Sequence, residues 1–217
     1  MRAGVAGQWW RRALSAMGLA GTVALLAQPA IAAERTILLY GDSLLAGYGL
    51  SAEDGFMGQL QAAMDAAGIE ATLVNASVSG DTTADGLARL DWSLGEPVDA
   101  VILGLGANDM LQGLSPAAAR ENLETMMAGF AARDLPILLL GMKADRGLGA
   151  DYVAAFDSIY PELAQHYDAL LYPFFLEGVA LNPALNQSDR IHPNARGVGA
   201  IVDAVLPWVE RLVSRID

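Results

Sequence analysis

Thr36-Ile37-Leu38-Leu39-Tyr40-Gly41-Asp42-Ser43-Leu44 is the stretch on which the reading of the fold turns. Its first five residues are β-prone and largely apolar, and they stop at a Gly-Asp-Ser turn. A short apolar run bounded in this way is the pattern of a strand covered on both faces. The pattern recurs at Thr72 to Asn75, Ala100 to Leu105, Ile137 to Leu140 and Ala169 to Tyr172. Between the runs lie amphipathic stretches that predict helices: Phe56 to Ala67 closed by Gly68, Thr82 to Leu94, Pro116 to Arg133, Asp151 to Tyr167, and Asn194 to Val213. Ser115 is suited to cap the third, with Pro116 at its first position, where a missing N–H costs nothing. Pro207 is expected to kink or split the last.

Five strands alternating with five helices predict an α/β three-layer sandwich around a five-stranded parallel, flavodoxin-like sheet, because right-handed crossovers leave few other ways to wind the chain. No repeat, low-complexity tract or long linker marks a second domain. Residues 34–217 are therefore read as one domain, of a size that buries a full core without staples. Residues 1–33 are read as a secretory signal peptide: Arg2, Arg11 and Arg12 precede an uncharged apolar run from Ala13 to Ala27, and Ala30-Ile31-Ala32 offers a small-x-small cleavage site. That run falls short of the roughly 20 apolar residues of a membrane span, so cleavage after Ala32 or Ala33 and a periplasmic or secreted protein are expected. Arg11-Arg12 partly matches a twin-arginine signal, which leaves the export route open.

The chain has 25 acidic and 13 basic residues, and three of the basic ones precede position 34, so the mature part carries a net charge of −15 with histidine neutral. Such a surface repels nucleic acid and anionic membrane. Cysteine is absent, which excludes disulfides, thiolate metal sites, a cysteine nucleophile and a lipidated cysteine. A monomer working on a small molecule, without stable membrane insertion, is the expectation.

In an open parallel sheet, ligands bind beyond the carboxyl ends of the strands. The segments there are Gly41-Asp42-Ser43-Leu44, Asn75 to Asp81, Gly106-Ala107-Asn108-Asp109 and, before the last helix, Asp189-Arg190-Ile191-His192-Pro193. Together they hold the parts of an acyl-transfer site. A serine hydroxyl needs a base, and a histidine oriented by a carboxylate is the usual one near neutral pH. Asp189 precedes His192 by three residues, a spacing that lets the carboxylate reach Nδ1 while Nε2 faces outward. The N–H groups of Ser43 and Gly80 and the amide of Asn108 are donors of the kind an oxyanion requires.

In these blocks the chain resembles the GDSL, or SGNH, hydrolases, and the likeness extends over essentially the whole mature domain. The family's four named residues fall on Ser43, Gly80, Asn108 and His192. It is most similar to the branch of periplasmic enzymes acting as thioesterases, lysophospholipases and arylesterases; Asn75 to Thr83, Gly86 to Leu90 and Ile159-Tyr160-Pro161 carry that likeness. The resemblance implies a serine esterase with a Ser43, Asp189, His192 triad, a covalent acyl-enzyme, broad use of acyl esters and thioesters, and no cofactor. Gly80 also suits a positive φ. Asp42 and Asp109 adjoin these positions, but a carboxylate there would oppose oxyanion formation, so both are read as acceptors for loop backbone. Met110, Leu111, Leu114, Met142 and Phe174, with Leu148, Phe175 and Leu176, follow strands and are candidates for an acyl groove or for core.

Other classes account for less of the sequence. Receiver domains share this architecture, and Asp42, Asp109 and Lys143 imitate their acidic cluster, yet export would remove the chain from cytoplasmic phosphate donors. A non-catalytic acyl-binding protein leaves the Ser, Asn, Asp and His set without purpose. A carbohydrate O-acetylesterase needs the same site with a short polar groove. Metal hydrolysis is disfavoured because His166, the only other histidine, reads as a surface residue and no ligand spacing is present.

Overall fold

A computed structural model describes residues 35–216; the signal segment expected at 1–33 lies outside the described residues. The five strands are β1 (Arg35–Gly41), β2 (Ala71–Asn75), β3 (Ala100–Gly104), β4 (Ile137–Leu140) and β5 (Leu170–Tyr172). They pair in parallel in the order β2-β1-β3-β4-β5, which is the flavodoxin-like order. Every residue of β3 and β4 is buried, as uninterrupted apolar strands should be when helices cover both faces.

The helices are α1 (Ser43–Ala46), α2 (Phe56–Ala67), α3 (Thr83–Ala88), α4 (Leu90–Ser93), α5 (Ala107–Leu111), α6 (Pro116–Ala131), α7 (Ala150–Asp157), α8 (Ile159–His166) and α9 (Ala195–Val213). α2 packs on α9, while α6 packs on α3, α7 and α8, giving a layer on each side of the sheet. In α9, Val198, Val202, Val205, Val209 and Leu212 recur three or four residues apart and are buried, with Ile201 beside them, so one stripe faces the core. Among the aromatic contacts, Tyr40 meets Phe130 edge-on at 6.1 Å and Phe56 meets Phe175 at 5.2 Å.

Helix ends follow local chemistry. Ser115 accepts from the Ala118 N–H ahead of Pro116, Asn194 accepts from Arg196 and Gly197, and Gly68 closes α2 at φ +71°. Two expected helices are each broken in two. The stretch from Thr82 to Leu94 breaks at Arg89, because the Gly86 carbonyl is taken by the Tyr40 hydroxyl and by the Arg89 N–H instead of by residue 90. The stretch from Asp151 to Tyr167 breaks at Ser158, where Pro161 has no N–H to return to the Asp157 carbonyl.

The split considered at Pro207 does not occur: α9 runs as one helix through it. Pro207 and Asp203 are both exposed, so water can serve the carbonyl that the proline leaves unpaired. Proline still carries its intrinsic penalty in a helix interior. Pro207→Ala should therefore raise stability by roughly 1 to 2 kcal/mol, read as a higher urea midpoint at unchanged m-value; an unchanged midpoint would mean that the helix bears no cost there.

Candidate active site

The site lies where the chain reverses its winding, with β1 flanked by β2 and β3. Gly41 and Gly104 sit side by side at the ends of β1 and β3. A Cβ on Gly41 would come within 2.7 Å of the Gly104 carbonyl oxygen, and one on Gly104 within 2.9 Å of Leu45. Two bare strand ends let α1 fold directly onto the sheet with Leu45 packed beneath it. Asp42 caps α1 by accepting from the Leu44 N–H at 3.0 Å. Ser43 is consequently the first residue of a short helix at the rim.

The histidine arrives from the far end of the chain, in the turn before α9. Arg190 adopts φ +62°, and its N–H closes a turn onto the Gln187 carbonyl at 3.0 Å. Asp189 Oδ1 accepts from the Ile191 and His192 N–H groups at 2.9 and 3.0 Å, while Oδ2 lies 2.7 Å from His192 Nδ1. His192 Nε2 then stands 2.9 Å from Ser43 Oγ. Gln187 fastens this turn to the loop after α1, its amide donating to the Tyr48 carbonyl at 2.8 Å and to that of Pro193 at 3.0 Å.

The other two segments meet at the same rim. Gly80 has φ +94°, a region costly for any residue with a Cβ. Asn108, in α5, donates from its amide to the Asp81 carbonyl at 2.9 Å, which leaves the second amide hydrogen for another acceptor. Among the described residues, the Ser43 and Gly80 N–H groups donate to no protein acceptor. Ser43, Gly80, Asn108, Asp189 and His192 are thus brought together, whereas His166 is exposed on α8.

The carboxylates are handled in contrasting ways. Hydrogen bonds from the His192 ring and from the Ile191 and His192 N–H groups hold the Asp189 carboxyl down at about 2, so it remains an anion through the acid range. Asp42 is almost fully buried, and loss of water, aided by the charges of Asp81 and Asp109, pushes its carboxyl up to about 7 despite the Leu44 N–H. Asp109 accepts from the Thr83 N–H at 2.8 Å and from its hydroxyl at 2.6 Å. Asp42 and Asp109 therefore serve loop backbone, as their sequence context suggests.

The groove candidates separate by orientation. Leu111, Leu114 and Leu148 are exposed, and Met110, Phe174 and Leu176 are partly buried. Lys143 Nζ lies 5.1 Å from the Phe174 ring centre. Met142 and Phe175 turn inward instead, lining a small void with Asp42, Leu45 and Leu140. Sequence reasoning missed Tyr48, half-exposed, whose ring lies over the His192 imidazole with centroids 4.6 Å apart. The available signal was an aromatic between Gly47 and Gly49, five residues after Ser43. Two surface hollows, around Leu94 to Val98 and around Pro136 and Tyr167, lie at the opposite end of the sheet. Among the described residues, no three His, Asp or Glu side chains gather as metal ligands would, and no helix is long and apolar enough to cross a membrane.

Sheet order and layering are those of the SGNH-type α/β hydrolases. The chain belongs to the GDSL-like lipase/acylhydrolase family, whose profile matches residues 39–200. It is 37% identical to esterase TesA of Pseudomonas aeruginosa over 201 residues, covering 92% of this chain and all of that one. It is 38% identical over 184 residues to the thioesterase 1/protease 1/lysophospholipase L1 of Escherichia coli K12, covering 84% and 87%. Among solved structures, the SGNH-hydrolase family esterase AlinE4 superposes with a TM-score of 0.70 at 49% identity, covering 82% of this chain and 96% of that one. The chain is an ester hydrolase.

The raised Asp42 carboxyl has a thermodynamic signature. Its folded value of about 7 exceeds the ordinary 3.8, so the folded state keeps a proton that the unfolded chain has released, and stability falls as pH rises between those values. Asp42→Asn keeps an oxygen for the Leu44 N–H and removes the charge. Relative to the parent, the variant should gain about 1 to 4 kcal/mol in urea unfolding between pH 4 and pH 8; parallel stability curves would show that Asp42 does not hold the proton.

Proposed function

We propose that the protein is an exported serine hydrolase that takes acyl groups from small ester and thioester substrates through a covalent intermediate on Ser43. The observation that carries this reading is the line from Asp189 Oδ2 to His192 Nδ1 at 2.7 Å and from Nε2 to Ser43 Oγ at 2.9 Å. In this mechanism Nε2 takes the hydroxyl proton as Oγ attacks the acyl carbonyl. The negative oxygen that forms is met by the N–H groups of Ser43 and Gly80 and by the Asn108 amide. As the tetrahedral species collapses, the C–O or C–S bond breaks and the imidazolium gives its proton to the departing alcohol or thiol. Water, deprotonated by the same nitrogen, then attacks the acyl-enzyme; the acid leaves and Ser43 recovers its proton. Asp189, anionic throughout, steadies the imidazolium.

The exposed apolar residues after β3 and β4, Leu111, Leu114 and Leu148, favour an acyl chain over a sugar as the group bound. All the groups invoked come from one chain, which suits a monomer. Residues 1–33 act in export alone in this reading, and the mass of the mature protein should begin after Ala32 or Ala33.

Intact-mass analysis after treatment with a fluorophosphonate tests the chemistry. A single adduct should form and be absent in Ser43→Ala. Ser43→Ala and His192→Ala should lower kcat by about 10⁴ to 10⁶, and Asn108→Ala by roughly 10² to 10³ through loss of one oxyanion donor. An adduct persisting in Ser43→Ala would overturn the assignment. With p-nitrophenyl esters from acetyl to palmitoyl, kcat/KM should rise beyond acetyl; a maximum at acetyl together with deacetylation of acetylated sugars would favour a carbohydrate O-acetylesterase.

A further inference from the structure

The break between α3 and α4 places Arg89 beneath the two loops that carry Ser43 and Gly80. All three of its guanidinium nitrogens are engaged. Nε donates to the Asp81 carboxylate at 2.6 Å, one terminal nitrogen to the Ala76 carbonyl at 2.5 Å, and the other to the Gly41 carbonyl at 3.2 Å. The guanidinium carbon lies 4.2 Å above the Tyr40 ring. Arg89 and Asp81 expose only 18% and 12% of their side chains, so this ion pair is shielded from the solvent that weakens surface pairs.

What these bonds hold is the part of the rim with least support of its own. Gly80 is exposed, and a Cβ at that position would meet nothing within 4 Å, so no side chain packs there to fix its plane. Its orientation depends on its neighbours. On one side the Asp81 N–H closes a turn onto the Val78 carbonyl at 3.2 Å. On the other, Asp81 is gripped twice, its carboxylate by Arg89 and its carbonyl by the Asn108 amide. Ala76 and Gly41, the other two acceptors, lie at the start of the Gly80 loop and two residues before Ser43.

We infer that Arg89 is a positioning residue for the oxyanion site: through Asp81 it sets the Gly80 N–H and the Asn108 amide, and through Gly41 it sets the strand end that presents Ser43. The inference rests on the serine-hydrolase reading given above. Oxyanion donors act only if they are aimed before the charge develops, so loosening this clamp should weaken the transition state and leave ground-state binding nearly intact. Lysine at this position carries the charge but not the planar fork, and can satisfy only part of the set.

The test is steady-state kinetics on a p-nitrophenyl ester with the full protein, Arg89→Met, Arg89→Lys and Asp81→Asn, and Arg89→Met combined with Asn108→Ala. Arg89→Met should lower kcat about 10- to 100-fold with KM within about threefold, and Arg89→Lys should restore part of the loss. Asp81→Asn should lower kcat in the same sense, which keeps the question open to measurement if Arg89→Met fails to fold. Because Arg89 works through Asn108 and Gly80, its removal should cost at least threefold less in the Asn108→Ala background than in the parent. Equal losses in the two backgrounds, a rise in KM with unchanged kcat, or full activity in both Arg89→Lys and Asp81→Asn would overturn the inference. Those outcomes leave the serine mechanism standing as long as the fluorophosphonate adduct still forms on Ser43, whereas an adduct that survives Ser43→Ala removes both.

Discussion

The contact on which the rim depends is the pairing of Gly41 with Gly104 at the carboxyl ends of β1 and β3. Had either a side chain, the strand ends would have to part or Leu45 would have to lift, since the nearest atoms stand under 3 Å from the missing Cβ. Their bareness lets α1 lie against the sheet, and the Asp42 cap then fixes where the helix begins. The winding supplies the rest: crossovers run in opposite directions from β1, so the loops after β1, β2 and β3 open into one crevice. α9 brings the Asp189 to His192 turn to the same edge.

Much of the architecture was legible because its determinants are local or periodic. Fully buried parallel strands read as unbroken apolar runs, and α2 and α9 announced themselves by Gly68 and Asn194. The convergence of four segments on one rim was legible too, because it follows from strand order. The helix breaks at Arg89 and Ser158 were not, although each has a simple cause. One needs a tyrosine hydroxyl from 46 residues away; the other needs Pro161 weighed for the bond it withholds, not the fold it resembles. The short helices α1 and α5 were hidden in what reads as turn sequence. Which groove candidates point inward could not be read at all, since Met142 turns into the core while the nearby Phe174 is only partly buried, a difference set by the path of the backbone after β4 and β5. Tyr48 escaped for a related reason: its position over His192 comes from the loop's tether to Gln187.

A chain of strongly acidic composition has gathered four aspartates around the place where the proposed mechanism develops negative charge, and each is managed by a different device. Asp189 is matched to an imidazole, and Asp81 to a guanidinium. Asp109 spends its lone pairs on the amide and hydroxyl of Thr83. Asp42, closest to Ser43 in sequence, is shielded so completely that its carboxyl is pushed up to about 7. Burial there does more than stabilise a cap: it lessens a charge that would oppose the oxyanion of the proposed mechanism.

The separation of 149 residues between Ser43 and the imidazole beside it makes the site a product of the whole chain. Ser43 precedes His192 in the order of synthesis, and α9, which follows the histidine turn, packs on α2. Under the proposed mechanism, a chain that stops before the histidine turn has a serine without a base. Long-range closure of this kind is also slow relative to local helix formation. In the proposed mechanism, reactivity therefore waits on the docking of the histidine turn beside Ser43.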